Sequence, residues 1–125
     1  MKLLLDTHVL LWWMNDDRAL SKDARTLIQS NDNVIYVSAA TVWEIRIKQK
    51  LGKLRLPASF EEALRSEGFE DLPIRCAHAH RVANLPDIHQ DPFDRILLAQ
   101  ALEDQLVFVT HDKALAKYPA EVRLV

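Results

Sequence analysis

Two rhythms of apolar and polar positions alternate along this chain. Residues 2–5 (KLLL) form a short apolar run stopped by Asp6, the pattern of a buried strand with a carboxylate at its C-terminal end. His8 to Met14 reads as a short helix broken by Asn15, Asp16 and Asp17, and Ser21 can cap a second helix through about Ser30. After a turn at Asn31–Asn33, the β-branched and aromatic run Val34–Val37 predicts a second strand, and Ser38 can cap the helix that follows. On that helix Ala40, Glu44, Ile47 and Leu51 recur at helical spacing, so Glu44 interrupts an apolar stripe. Gly52 is its natural stop. Pro57 delays the next helix to Ser59, which with Glu62 fits a capping box over a helix ending near Gly68.

The second half repeats the alternation. Leu72–Ile74 suits a short, Pro-bearing edge strand, and Ala77–Leu85 a helix ended by Pro86. In His89–Ala101 (HQDPFDRILLAQA), Asp91 fits the N-cap, Pro92 the first helical position and Asp94 the third, where a carboxylate favours the positive helix end. Leu97, Leu98, Ala101 and Leu102 follow at spacings of three and four, which aims Asp94 at the head of the inward stripe. A central-looking strand at Leu106–Thr110, a short helix over Lys113–Lys117 and a last strand at Val122–Val125 complete the chain. Strands alternating with helices argue for one α/β domain over residues 1–125, with a mostly parallel sheet of four to five strands.

Composition narrows the function. At 49% hydrophobic and 27% charged the chain can bury a real core, and 16 basic against 18 acidic residues give no global cationic field, so a nucleic-acid or membrane partner needs a local patch. A lone Cys76 excludes an internal disulfide and a multi-cysteine metal site, which suits a reducing cytoplasm. No apolar run reaches membrane-spanning length, and Asp6 and His8 interrupt the N-terminal run, which reads as part of the fold. Two glycines leave no Gly-rich phosphate loop. An aspartyl-nucleophile phosphatase would want an acid where His8 stands, and a receiver domain an acidic pair that Thr7 breaks.

Four acids remain. In a parallel sheet, ligands gather at the C-terminal strand ends, where Asp6, Asp112 and the helix-borne Glu44 and Asp94 can meet. Two carboxylates about 5 Å apart repel by roughly 3 kcal/mol at an effective dielectric near 20. Apart from Arg95, no lysine or arginine is expected to converge on them, so a divalent cation is the economical neutraliser, and an all-oxygen set suits Mg²⁺ or Mn²⁺. Such crowding predicts that Asp6→Asn stabilises the metal-free protein. Thr7 and Thr110 can support the acids with hydroxyls or simply end strands.

MKLLLDTHVLLW, VSAATVWEI, HQDPFDRILLAQA and VFVTHD stand in the order and spacing of PIN-domain nucleases, and nearly the whole chain resembles the VapC-type toxins of bacterial toxin–antitoxin pairs. The resemblance implies a single PIN-like α/β/α sandwich. It also implies metal-dependent RNA cleavage, a homodimer and neutralisation by a small antitoxin. By resemblance Asp6, Glu44, Asp94 and Asp112 correspond to the acidic metal-binding and catalytic set, with Asp91 supporting from the helix start. A non-catalytic PIN-like module and a housekeeping RNA-processing nuclease are the alternatives.

Arg46, Lys48, Lys50, Lys53 and Arg55 place five positive charges in ten residues after Glu44, a strip for RNA phosphates or a solvated helix face. Arg95 could touch phosphate or pair with Asp91 or Asp94. For Trp12, Trp13 and Trp43, core or partner-groove packing is favoured over base stacking, with Trp12 or Trp13 exposed on a free monomer. His78 and His80 diverge on their helix and share no metal, while His89 and His111 suit hydrogen-bonded loop positions better than ligation.

Overall fold

All strands of the sheet run the same way, because every step from one strand to the next passes through helix or a helical turn, the connection that parallel neighbours require. The structure is a computed structural model describing residues 1–125. Its elements are β1 (Lys2–Leu5), α1 (Thr7–Met14), α2 (Lys22–Gln29), β2 (Val34–Ser38), α3 (Ala39–Lys50), α4 (Phe60–Ser66), β3 (Glu70–Leu72), α5 (Cys76–Val82), α6 (Pro92–Glu103), β4 (Val107–Thr110), a 3₁₀ turn (Lys113–Lys117) and β5 (Val122–Leu124). The sheet is five-stranded and ordered β3-β2-β1-β4-β5.

The two-residue period of each strand divides its side chains between two cores. Leu3, Leu5, Ile35, Val37 and Val109 face one core, built with α1, α2, Ile45 of α3 and Phe60. Leu4 and Phe108 face the other, formed with Leu97, Leu98 and Ala101 of α6 and with Leu115 and Tyr118. Both sheet faces are thus covered, as a parallel sheet requires. From β1 the chain steps outward through β2 to β3, then returns to place β4 on the opposite side of β1. The order reverses between β1 and β4, which opens a crevice at their carboxyl ends.

Three local expectations need correction. The edge strand is Glu70–Leu72 rather than 72–74: Leu72 pairs with Ser38 as the last rung, and Pro73 has no N–H with which to extend the ladder. On α3 the buried side chains are Ala40, Thr41, Glu44 and Ile45, whereas Leu51 is 62% exposed. Ala40 enters one core and Ile45 the other, and the final turn runs out past both. Ser59 makes no capping bond, its ψ of 11° being far from the extended conformation a cap needs. Gly52 does end α3 with a positive φ of 74°, as Lys53 N–H donates to Lys48 O and Gly52 N–H to Gln49 O.

Two buried polar links fasten α6. His78 is fully buried, accepts from the Arg75 N–H at Nδ1 and meets Asp104 through Nε2 at 2.9 Å, so it ties α5 to the end of α6, while His80 is exposed. Fully buried Gln100 accepts from Ser38 Oγ at 2.6 Å and donates to Pro73 O at 3.2 Å, joining α6 to the ends of β2 and β3. Gln100→Ala leaves the buried Ser38 hydroxyl without its acceptor and the Pro73 carbonyl without this donor. It should lower the unfolding free energy by about 2–3 kcal/mol in urea denaturation, with the slope unchanged; an unaltered midpoint would show that this link contributes nothing.

Candidate metal centre

Asp6 ends β1 and caps α1 with the same carboxylate. Its Oδ1 accepts from His8 N–H at 2.7 Å and Val9 N–H at 3.2 Å, and its Oδ2 accepts from the Thr110 hydroxyl at 2.5 Å. The residue is only 4% exposed. Three protein donors on a buried carboxylate are a favourable environment for its charge. Asp6→Asn would disturb those bonds, so the relief of crowding expected at this position belongs elsewhere.

Glu44 lies one turn further into α3 than a capping acid would. Its Oε1 accepts from Thr7 Oγ1 at 2.8 Å, and Oε2 meets Lys48 Nζ at 2.8 Å, one helical turn on. A lysine therefore does converge on the acids, contrary to expectation. The i,i+4 spacing of Glu44 and Lys48 was the signal for it. The hydrogen bond to Glu44 pulls the Lys48 ammonium above its usual pKa, opposed by burial and helped by the charges of Glu44, Asp91 and Asp94.

Asp94 occupies the third position of α6, behind Asp91, whose Oδ1 accepts from Phe93 N–H at 2.8 Å and Asp94 N–H at 3.4 Å. Burial, then the charges of Asp91 and Asp6, raise Asp94 to a pKa of about 6, against the lowering effect of His89. His89 Nε2 lies 2.9 Å from Asp94 Oδ2. Asp112 caps the 3₁₀ turn through Ala114 N–H, and its own N–H donates to Thr110 Oγ1 at 3.1 Å, so one threonine links Asp112 to Asp6. Ligand atoms of His89, Asp94 and Asp112 all lie within 4.8 Å of one another.

Arg95 pairs with neither Asp91 nor Asp94. It turns back to donate to Pro86 O at 2.9 Å, His89 O at 3.3 Å and Val82 O at 3.3 Å, carbonyls at the end of α5 and in the loop that follows it. Arg46 also leaves the basic strip, bonding Gln49 and lying over the Phe60 ring. Lys50, Lys53 and Arg55 are exposed beyond it.

Aromatic groups flank the centre. Trp12 sits between His8 and His111, edge-on to the latter at 5.4 Å, and Trp43 meets Phe93 edge-on at 5.3 Å. Trp12 and Trp13 are both half-buried against the core, Trp13 also donating to Glu67, and the exposed tryptophan is Trp43 at 61%. A cleft of about 470 Å³ lies beside Glu44, Lys48, Asp91 and Phe93.

The donor chemistry fits a divalent cation. Half-buried His89 and Asp94 and exposed Asp112 bring two carboxylates and one imidazole together, with the charge of buried Asp6 felt at Asp94. Asp94 is raised first by its burial and then by the charges of Asp91 and Asp6, both of which a bound cation would offset.

Fold and site together define an α/β protein with a carboxylate centre at the switch point of a parallel sheet. The PIN domain family model matches residues 3–121, and the chain belongs to that family, nucleases that hydrolyse nucleic acid and generally use divalent metal ions. Similar solved structures include VapBC2 from Rickettsia felis bound to a DNA fragment from its promoter, 13% identical with a TM-score of 0.74 over 100% of this chain and 99% of that one. VapBC-1 from nontypeable Haemophilus influenzae is 16% identical, with a TM-score of 0.64 over 99% and 98%. FitAcB from Neisseria gonorrhoeae is 20% identical, with a TM-score of 0.61 over 96% and 95%. These likenesses are of fold. Among curated proteins no sequence match was found.

Asp94 makes a pH-dependent prediction. The folded protein keeps its proton up to about pH 6 while the unfolded chain releases it near 3.8, so the folded state binds more protons in that window and stability falls as pH rises through it. In chelator, Asp94→Asn should raise the unfolding free energy at pH 7 by about 1–2 kcal/mol, with solvent screening included. Little change is expected at pH 4. Equal effects at the two pH values would mean that Asp94 is not crowded.

Proposed function

We propose that this protein is a divalent-metal-dependent endoribonuclease and the toxin of a toxin–antitoxin pair. One observation supports the hydrolytic reading: Asp94 and Asp112 bring their carboxylates together with His89, and burial, then the charges of Asp91 and Asp6, push Asp94 up to about 6. Asp6, Asp94 and Asp112 would hold Mg²⁺ or Mn²⁺. When bound, such an ion supplies Lewis acidity toward a phosphodiester oxygen and lowers the pKa of coordinated water.

The remaining steps fall to the chain's own groups. Thr110 and the α1 amides orient Asp6, and Thr7 orients Glu44, which accepts a hydrogen bond from the attacking water and directs it. Lys48 offers its ammonium to a phosphate oxygen entering the cleft, in exchange for part of its contact with Glu44. Lys50 and Lys53, exposed along the same helix end, extend the positive path for an RNA backbone. Exposed Trp43 adds an apolar face at the cleft edge.

A protein partner is supported by a second hollow of about 830 Å³ between α3, α4 and β3, lined by Val42, Trp43, Phe60, Leu64 and Phe69. Trp43 borders both this hollow and the Phe93 side of the cleft, so a segment seated in it can reach the acids. The fold neighbours are VapBC and FitAcB assemblies, which favours an antitoxin as that segment's source. A homodimer acting in the cytoplasm completes the reading, and no helix here is long and apolar enough to cross a membrane.

Purified protein should cleave single-stranded RNA with Mg²⁺ or Mn²⁺ and stop in chelator, and Asp94→Asn should lower the rate by about 100-fold or more. Equal cleavage by the variant would assign the activity to a contaminant. A chain that binds metal but cuts no RNA would be a non-catalytic module. Lys50→Ala with Lys53→Ala should weaken RNA binding about threefold to tenfold at low salt and flatten its salt dependence; an unchanged salt slope would remove that strip from the RNA path.

A further inference from the structure

Resting on the metal-centre reading above, we propose that His89 is a nitrogen ligand of the divalent ion and shifts the centre's preference from Mg²⁺ toward Mn²⁺. Of the four acids that the motifs mark, only Asp94 and Asp112 belong to the cluster of ligand atoms. Both Asp6 oxygens and both Glu44 oxygens already hold protein donors, at the α1 amides and Thr110 and at Thr7 and Lys48. His89, Asp94 and Asp112 instead bring a ring nitrogen and two carboxylates within 4.8 Å of one another.

His89 is also held from behind. Its backbone N–H donates to the Tyr118 hydroxyl at 2.8 Å, and its backbone carbonyl accepts from Arg95 Nη1 at 3.3 Å. Tyr118 is 3% exposed, and the same Arg95 guanidinium reaches Pro86 O and Val82 O. A loop with no regular structure is therefore pinned on both sides of one residue, with the imidazole left facing the acids. Fixing the backbone in advance favours coordination, because a ligand that must first be ordered binds more weakly.

The exchange balances. Nε2 now lies 2.9 Å from Asp94 Oδ2, and coordination would replace the proton between them with the cation, that proton passing to solvent and the neutral ring keeping its own on Nδ1. Imidazole suits first-row transition ions, whereas Mg²⁺ prefers oxygen and keeps its waters. His111 is the natural control. It adjoins Asp112, but its Nδ1 is committed to Val125 O at 2.6 Å.

The test loads the full chain with one equivalent of Mn²⁺ and records pulsed-EPR nitrogen modulation, alongside Mn²⁺ and Mg²⁺ affinities by calorimetry. Wild type should show ¹⁴N coupling, His111→Gln should keep it, and His89→Gln should lose it while its preference for Mn²⁺ over Mg²⁺ drops about tenfold. Thermal unfolding of each variant checks the fold, and the wild-type spectrum needs no variant. Stoichiometric Mn²⁺ without nitrogen coupling, or coupling that survives His89→Gln, overturns the assignment and leaves the metal centre standing. Absence of any stoichiometric binding of either ion overturns both.

Discussion

The structure depends on a conflict between two requirements of a parallel sheet. Hydrophobic residues on both faces of β1 and β4 hold these strands side by side at the centre, and the reversal of strand order beside β1 makes their carboxyl ends the one place where loops diverge to opposite faces. The chain puts acids there. Leu3, Leu4, Leu5, Phe108 and Val109 are fully buried, so the strands cannot separate to relieve the repulsion without losing the core. Charge crowding is imposed by packing.

The protein answers that crowding in layers. Deepest, Asp6 and Glu44 are met by amides, threonine hydroxyls and one ammonium. Nearer the mouth, Asp94 has His89 as its direct partner, and there burial, joined by the charges of Asp91 and Asp6, lifts its pKa to about 6. Compensation thus runs out where a solvent-borne cation and a phosphate can enter. A site fully neutralised by its own lysines would have no use for either.

Arg95 shows how indirectly such a site is built. It follows Asp94 in sequence and carries the charge a phosphate would want, yet it is spent on backbone carbonyls at the end of α5 and on the loop before α6. That loop carries His89 and leads into the Asp91 cap. Holding it fixes both the imidazole and the entry of the helix that aims Asp94, so Arg95 acts on the centre through the backbone.

The elements were legible in the sequence because period, caps and breakers are local: the apolar run ending at Asp6, the Asp91-Pro92 start of α6 and the Gly52 stop all depend on residues within a turn of one another. The inward aim of Asp94 and the burial of Glu44 were legible for the same reason. Where the sequence misled, the deciding contact was remote or the reading coarser than the geometry. Leu51 fits a helical stripe but lies past the end of both cores, and Arg95 directly follows Asp94 yet bonds carbonyls up to 13 residues away. His89 became part of a ligand-competent group only when Tyr118, 29 residues on, fixed its backbone. Sequence alone determined which residues carry charge and which elements present them. Tertiary structure decided which charges face one another, because distance in a folded chain is set by the packing of the two cores.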